Sequence, residues 1–494
     1  MKRGLLYHLL AKGAYILSAL LLHAVLARWL SMADYGLLSV VITVITFNYL
    51  FVNNGVRQAL SIALARQEND RVSLLKLAIA VQVAVALFLT LVNWLAAPYV
   101  AQFLGDERLA RLLSMAAFII PFTALYFVFL GGLNGAKLFK TESLVMSVYA
   151  VLRLLPLLFL LFLPKLESIE AVILAFILGA LITSIVGFHS LSALWSKAEE
   201  KKPAVSLWGF TQKSINLCLF YMGTTILMSM GVLFIKGMMA DDKSVGLFSA
   251  ALTLSRPVYF FSVALTAVAI PCVAASFHKG DKKETKEQFL FGLALLLIIV
   301  APLLITLGAS GPHLLSTLFP ARYLSAAPTF SLLLASVFFL SLMMYANSIL
   351  HAISEGSVRK VELLVVPLAL LLHFLLIPSM GIMGAALAFM LAALIGAAYT
   401  VVVAAKRLDT LPTKNEISRT VALNLTVLAT ALLLTGLLPK GGWINLITMV
   451  SLQFIVHASA AAYLGFVDFR ELWEKHVQPR FYSSSLAVEG KGNL

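Results

Sequence analysis

Charge is scarce in this chain. Charged residues make up 12% of it, where soluble globular proteins carry about 25%. With 61% hydrophobic residues and a mean hydropathy of +0.96, there is too little polar surface to cover a water-soluble globule. Cysteine is nearly absent: Cys218 and Cys272 stand in apolar surroundings without CxxC or Cys/His spacing, which excludes a disulfide framework and a cysteine-based metal site. A phosphate loop of the form G-x-x-x-x-G-K-[ST] is missing and every polar break is short, so neither a nucleotide-binding domain nor direct ATP drive is expected. No Ser/His/Asp, paired-carboxylate or metal-ligand constellation stands out. No catalytic residue, metal or cofactor is therefore expected, and the chain does not read as an enzyme. Its net charge of +14 comes from basic residues scattered between apolar segments rather than clustered on one face, which excludes a nucleic-acid partner.

Long apolar runs are what the sequence has instead. Fourteen stretches can cross a bilayer, at 8–30, 36–62, 74–97, 110–133, 142–163, 169–195, 212–238, 245–274, 287–307, 328–350, 361–377, 382–404, 418–438 and 444–466. The first is too long for a signal-peptide core and is closed by no small-x-small site, so it reads as a retained span. With the amino terminus inside, 26 loop and span-end cations fall on the cytoplasmic side and six on the outer side, which predicts a multi-pass protein with both termini cytoplasmic.

The mixed-charge break WSKAEEKKPAVSLWG, 195–209, divides the chain. DYGLLS at 34–39 is echoed by SVGLFS at 244–249, so that Gly36 and Gly246 stand 210 positions apart. Asp70 and Asp281 repeat at nearly the same offset. An even number of spans per copy makes the repeats parallel, with a substrate site expected between them near the midplane. The predicted architecture is an all-α integral membrane protein of about 14 transmembrane helices. It comprises a six-helix bundle at 1–195, a cytoplasmic linker at 196–211, a second six-helix bundle at 212–404, two additional spans at 405–466 and a cytoplasmic tail at 467–494.

Five cations remain inside the spans: Arg28, Arg57, Arg153, Lys236 and Arg256. Embedded charge is costly and marks a functional site by default. Arg28 and Lys236 lie near the outer ends of spans one and seven, where snorkelling to the headgroups is the competing explanation. Arg57 stands in FVNNGVRQ, where Asn53, Asn54 and Gln58 add hydrogen-bonding groups. Arg153 and Arg256 fall about 16 Å into their spans, near the midplane, facing either a water-filled cavity or the carbonyls of neighbouring helices. No Asp or Glu falls in mid-span, Glu142, Glu287 and Glu362 being placed at cytoplasmic helix starts and Glu170 at an outer one. The deep arginines are therefore expected to lack resident carboxylate partners. Such a cavity invites an anion, and the guanidinium fork suits phosphate oxygens. Pro257, directly after Arg256, offers a kink beside a midplane cation.

The segment LAKGAYILSALLLHAVLARWLSMADYGLLSVVITVITFNYLFVNNGVRQALSIALARQEND, 10–70, resembles the start of the polysaccharide-biosynthesis flippases of the multidrug/oligosaccharidyl-lipid/polysaccharide exporter superfamily. Shared features are an apolar first helix, an Arg-x-Leu step, an acidic-Tyr-Gly turn and an Ala-rich exit from the second helix. VGLFSAALTLSRPVYFFSVALTAVAIPCVAASFHKGD, 245–281, is similar to the family's matching segment in the second half. The resemblance implies two helix bundles around a cationic cavity with alternating access, in a bacterial inner membrane. It implies as cargo a polyprenyl-diphosphate-linked saccharide, with membrane lipids and polysaccharide polymerase or glycosyltransferase machinery as partners. By their place in the motif, Arg28 and Arg57 look like arginines that matter in related flippases. Within the same superfamily a cation-coupled drug or metabolite antiporter is the alternative, disfavoured because the first helix carries no carboxylate. A non-transporting scaffold for a polysaccharide synthase is more distant.

Overall fold

Short polar breaks expected from the sequence become helix caps in the computed structural model, which describes residues 2–66, 70–162, 168–192, 206–353, 358–410, 413–438 and 442–466. The side chains of Ser31, Asp70, Ser206 and Asp281 each accept a hydrogen bond from the backbone N–H three residues on. Thr413 and Glu416 form a reciprocal capping box. These caps satisfy amides that a helix start leaves free, and the apolar runs between them are helical because hydrocarbon offers a backbone no other partner.

The first half consists of α1 (Lys2–Trp29), α2 (Met32–Phe47), α3 (Tyr49–Phe51), a π-helical turn (Val52–Arg57), α4 (Gln58–Arg66), α5 (Arg71–Phe103), α6 (Arg108–Ala116), α7 (Ile119–Gly135), α8 (Phe139–Leu152), α9 (Leu155–Phe162) and α10 (Ser168–Ser192). The second half consists of α11 (Leu207–Met239), α12 (Asp242–His278), α13 (Lys282–Leu295), a second π turn (Leu296–Val300), α14 (Ala301–Ala309), α15 (Gly311–Leu318), a 3-10 turn (Ala321–Ala326), α16 (Ala327–Ile353) and α17 (Val358–Arg407). The last two helices are α18 (Lys414–Leu437) and α19 (Trp443–Tyr463), and no strand occurs among the described residues.

Twelve helical stretches are long and apolar enough to cross a membrane. One of these, Leu363–Arg407, is two crossings. Gly381 breaks α17 at φ 58°, ψ −133°, and a methyl group on Gly384 would collide with the Leu376 carbonyl. Residues eight apart in an unbroken helix lie about 12 Å apart, so this contact means the chain folds back. With the 37-residue α12 added, the fold accommodates the fourteen spans expected.

Helices of the first half pack chiefly on one another, α1 on α8 and α7 on α10, as do α16, α17, α12 and α11 of the second. The halves meet mainly along α2 and α12. There Gly36 lies against the Asp242 carbonyl and Gly246 against that of Met32, each so closely that a Cβ would overlap the opposing oxygen. The two glycines matched in the sequence thus pack on each other's helices, the reciprocity that a two-fold relation between repeats produces. Of the expected linker, residues up to 205 lie outside the described residues, as does the whole expected tail, 467–494.

Candidate functional site

Arg57 closes the π turn. A π segment carries one residue more than an α-turn allows and so rotates the helix beyond it. The wholly buried Gln82 steadies it, donating from Nε2 to the carbonyls of Val52 and Ala124, both at 2.9 Å. Arg57 Nη1 donates to Asn53 Oδ1 at 2.7 Å, and Asn53 Nδ2 donates to Asn54 Oδ1 at 3.2 Å. Gln58, half-buried, opens α4. Gly55 of the same turn abuts Cys218 and Ser214 of α11, so this cluster borders the second half.

Arg57 is not without an acid, contrary to the sequence expectation. Its Nη2 lies 3.7 Å from Oε1 of Glu142, whose side chain is 0% exposed. Asn134 Nδ2 donates to Glu142 Oε2 at 2.9 Å, His8 Nδ1 stands 3.6 Å from that oxygen, and Lys12 interacts electrostatically with both Arg57 and Glu142. Glu142 does sit in the first turn of α8, as expected. That turn is packed beneath α1 and α7 rather than at a water interface, so a helix start here is an interior position.

Arg153 occupies the break between α8 and α9, its guanidinium 5.0 Å from the ring centre of Tyr15. Tyr15 stacks on Tyr149 (6.0 Å), and Tyr149 on Tyr126 (4.6 Å). One terminal nitrogen of Arg153, Nη1, is buried with no hydrogen-bond partner. Arg256, from the other half, lines a void with His23, Ser39, Thr43, Ser249 and Thr253. Pro257 provides no N–H for the Thr253 carbonyl beside it. Arg153 and Arg256 interact electrostatically across the halves, and His23 with both. Among the described residues neither Arg153 nor Arg256 is ion-paired. The void is only about 10 Å³, room for about one water, where the sequence suggested an open chamber. α2 and α12, which pack against each other, supply most of its walls. A larger cavity, about 600 Å³ and apolar, lies between α18 and α19 and shares no lining residue with it.

Arg28 and Lys236 are engaged elsewhere, at the end predicted to face outward. Arg28 donates to the carbonyls of Ala24 (3.0 Å), Leu318 (2.5 Å) and Thr317 (3.1 Å). Arg322 donates back to those of Ala27 (2.7 Å) and Leu30 (2.9 Å). Lys236, 3% exposed, is clamped between Asp106 (2.7 Å) and Asp242 (2.5 Å), and Arg108 Nη2 lies 2.7 Å from each carboxylate. Burial pushes the Asp106 carboxyl up, but the hydrogen bonds from Arg108 and Lys236 outweigh it and hold the group at about 2. Lys236 does not snorkel to headgroups, and Arg28 spans the two halves. Sequence reasoning missed Arg322, Asp106, Asp242 and Glu142 by counting them as loop or helix-start charges. His23 reaches the void through the juxtaposition of α1 with α12. No group of three or more potential metal ligands occurs among the described residues.

The family described as polysaccharide biosynthesis protein matches residues 25–328. An uncharacterized membrane protein of Methanocaldococcus jannaschii is 32% identical over 133 residues, covering 26% of this chain and 25% of the relative, so the chain matches about a quarter of that protein's length. Among solved structures, a lipid II flippase, MurJ, in an inward closed conformation superposes with a TM-score of 0.73 at 16% identity, covering 94% of this chain and 99% of that one. An inward-facing multidrug resistance MATE transporter of the MOP superfamily gives 0.60 at 14% identity, covering 82% and 94%. The eukaryotic MATE transporter AtDTX14 gives 0.61 at 14% identity, covering 87% and 98%. At such identities the likeness is one of fold.

Proposed function

Since the chain belongs to the polysaccharide biosynthesis protein family and shares its fold with a lipid II flippase and MATE transporters, we propose that it is a lipid-linked oligosaccharide flippase. Its cargo is a polyprenyl-diphosphate-linked saccharide, moved from the cytoplasmic to the outer leaflet of a bacterial inner membrane for cell-surface polysaccharide assembly. Both termini lie in the cytoplasm. The bundles at 1–195 and 212–404 rock against each other, with 405–466 appended and glycosyltransferase or polymerase machinery as partners.

The reading rests on Arg153 and Arg256, embedded cations of opposite halves that repel one another and have no ion-pair partner among the described residues. Such an arrangement is unfavourable alone and becomes favourable when a diphosphate enters. Arg57, with Asn53, Asn54 and Gln58 around it, extends the cationic surface towards the predicted cytoplasmic side. Arg28 and Lys236 are engaged in contacts between the halves in this conformation, and on this reading they reach substrate only when the outer end opens. In an inside-negative membrane the field contributes about 2.3 kcal/mol per 100 mV for each negative charge carried outward.

Vesicles containing the full chain, scored for leaflet-resolved accumulation of labelled lipid-linked saccharide, test the proposal. Arg153→Ala and Arg256→Ala should each lower the rate at least tenfold, and unchanged rates in both would remove the site. A buried acid in the first half, Glu142, favours a second reading as a cation-coupled antiporter. Expression would then confer resistance to cationic compounds.

A further inference from the structure

Glu142 is the one deeply buried carboxylate beside an embedded arginine among the described residues, and it is poorly held. Its side chain is 0% exposed, yet Oε1 receives no hydrogen bond. Oε2 accepts one, from the neutral amide of Asn134 at 2.9 Å. The nearest basic side-chain atoms, Arg57 Nη2 at 3.7 Å and His8 Nδ1 at 3.6 Å, lie beyond the 2.7–2.9 Å or so of a charge-assisted hydrogen bond. Attraction across a gap is what retains this carboxylate. Arg57, by contrast, is 20% exposed and tethered through Nη1 to Asn53, so its other face can turn towards an incoming oxyanion.

We infer that Glu142 is the resident counter-ion of Arg57, displaced when a phosphate group binds, and that the displaced carboxylate takes up one proton. This rests on the proposed phosphate-bearing cargo. A phosphate offers Arg57 two oxygens at full hydrogen-bonding distance, which Glu142 does not. Once Arg57 turns, an unpaired carboxylate with no solvent contact costs several kcal/mol, and neutralisation by a proton from water is the cheaper state. The step balances as carboxylate plus hydronium giving carboxylic acid plus water.

The surroundings allow few other partners. α1 contributes His8 and Lys12, the π turn Arg57, and α7 Asn134 and Tyr126. On α10, His189 is exposed and Glu170 is paired with Arg111. Lys140 on α8 itself is exposed, and α9 carries no charge. Lys12 is the other basic side chain of these elements that acts on Glu142 from α1 and could replace Arg57, and if it did so as a cation no proton would be needed.

Calorimetric titration of the purified full chain with inorganic diphosphate, in two buffers of different ionisation enthalpy, counts the protons. The wild type should take up about one proton more per diphosphate than Glu142→Gln. Glu142→Gln, isosteric and able to keep the Asn134 contact, should bind about tenfold more tightly, and Arg57→Ala more weakly than either. In wild type alone, diphosphate should bring up the infrared band of a protonated carboxyl, absent from Glu142→Gln. Equal proton counts, a missing band or weaker binding by Glu142→Gln overturns the counter-ion role, including the case in which Lys12 takes over. If wild type binds diphosphate with Arg57 required but equal counts, the phosphate reading survives without it. If neither wild type nor Glu142→Gln binds diphosphate, the phosphate reading falls with it.

Discussion

Arg28 and Arg322 cap each other's helices. Arg28, in the last turn of α1, donates to the carbonyls that end α15, and Arg322, just beyond α15, donates to the carbonyls around the end of α1. A helix C-terminus carries partial negative charge and free carbonyls, so a cation there is favourable twice over. Each half thereby terminates a helix of the other.

Removing both caps should loosen the halves at that end. With Cys218 and Cys272 replaced by Ser and a reporter thiol introduced by Ser249→Cys at the central void, Arg28→Ala combined with Arg322→Ala should raise reactivity towards a membrane-impermeant thiol reagent about tenfold. Hydrogen bonds to charged groups are worth about 1.5–3 kcal/mol each when sheltered and less where exposed, as Arg28 is. Each single variant should do less, because one cap persists. No gain in the double variant would show that the arginines do not hold the halves together.

Gly36→Ala should act on the same closure from the backbone. Its methyl group meets a carbonyl of α12, not a side chain that can swing away, so the helices must separate. Overpacking of this kind costs about 1–3 kcal/mol, seen as a lower thermal transition together with higher reactivity of the reporter thiol. An unchanged transition would mean that the interface yields at no cost.

Lys236→Met should cost about 3 kcal/mol of stability, because it leaves Asp106 and Asp242 facing one another with Arg108 alone between them. Adding Asp242→Asn should restore part of the loss. Thermal unfolding of the single and double variants measures this, and an additive double variant would contradict the clamp.

The same cluster sets a pH response. Asp106 is held at about 2 against an ordinary 3.8. A depressed carboxyl contributes stability that is complete above its unfolded value and lost as pH falls through the folded one. This contribution should therefore be fully present and independent of pH between pH 8 and about 5, and thermal stability should fall from about pH 4 towards 2. Asp106→Asn should remove that acid step. A step near neutrality lost in Asp106→Asn would assign the group a different environment.

Gln82→Leu should unsettle the π turn, since it withdraws the donor shared by the Val52 and Ala124 carbonyls. A buried acceptor left unpaired costs about 1–3 kcal/mol. On the proposed function, flipping should slow several-fold even though no charge is altered, and an unaffected rate would show that the turn keeps Arg57 in place without it.

Hydropathy, the sidedness of cations and the depth of an arginine along its helix are properties of short windows of chain, and from these alone came the fourteen spans, the paired halves and the five embedded cations. The glycines at 36 and 246 could be matched in the sequence because a repeat preserves order. What each cation touches was decided by tertiary structure. Arg28 finds carbonyls 289 and 290 positions away, Lys236 an aspartate 130 away, and Arg57 a glutamate on a different helix. Such pairings depend on how each helix is rotated and which neighbour covers its end. In the case of Arg57 a π turn adds a residue to the register, and no local pattern of polar and apolar residues encodes that rotation.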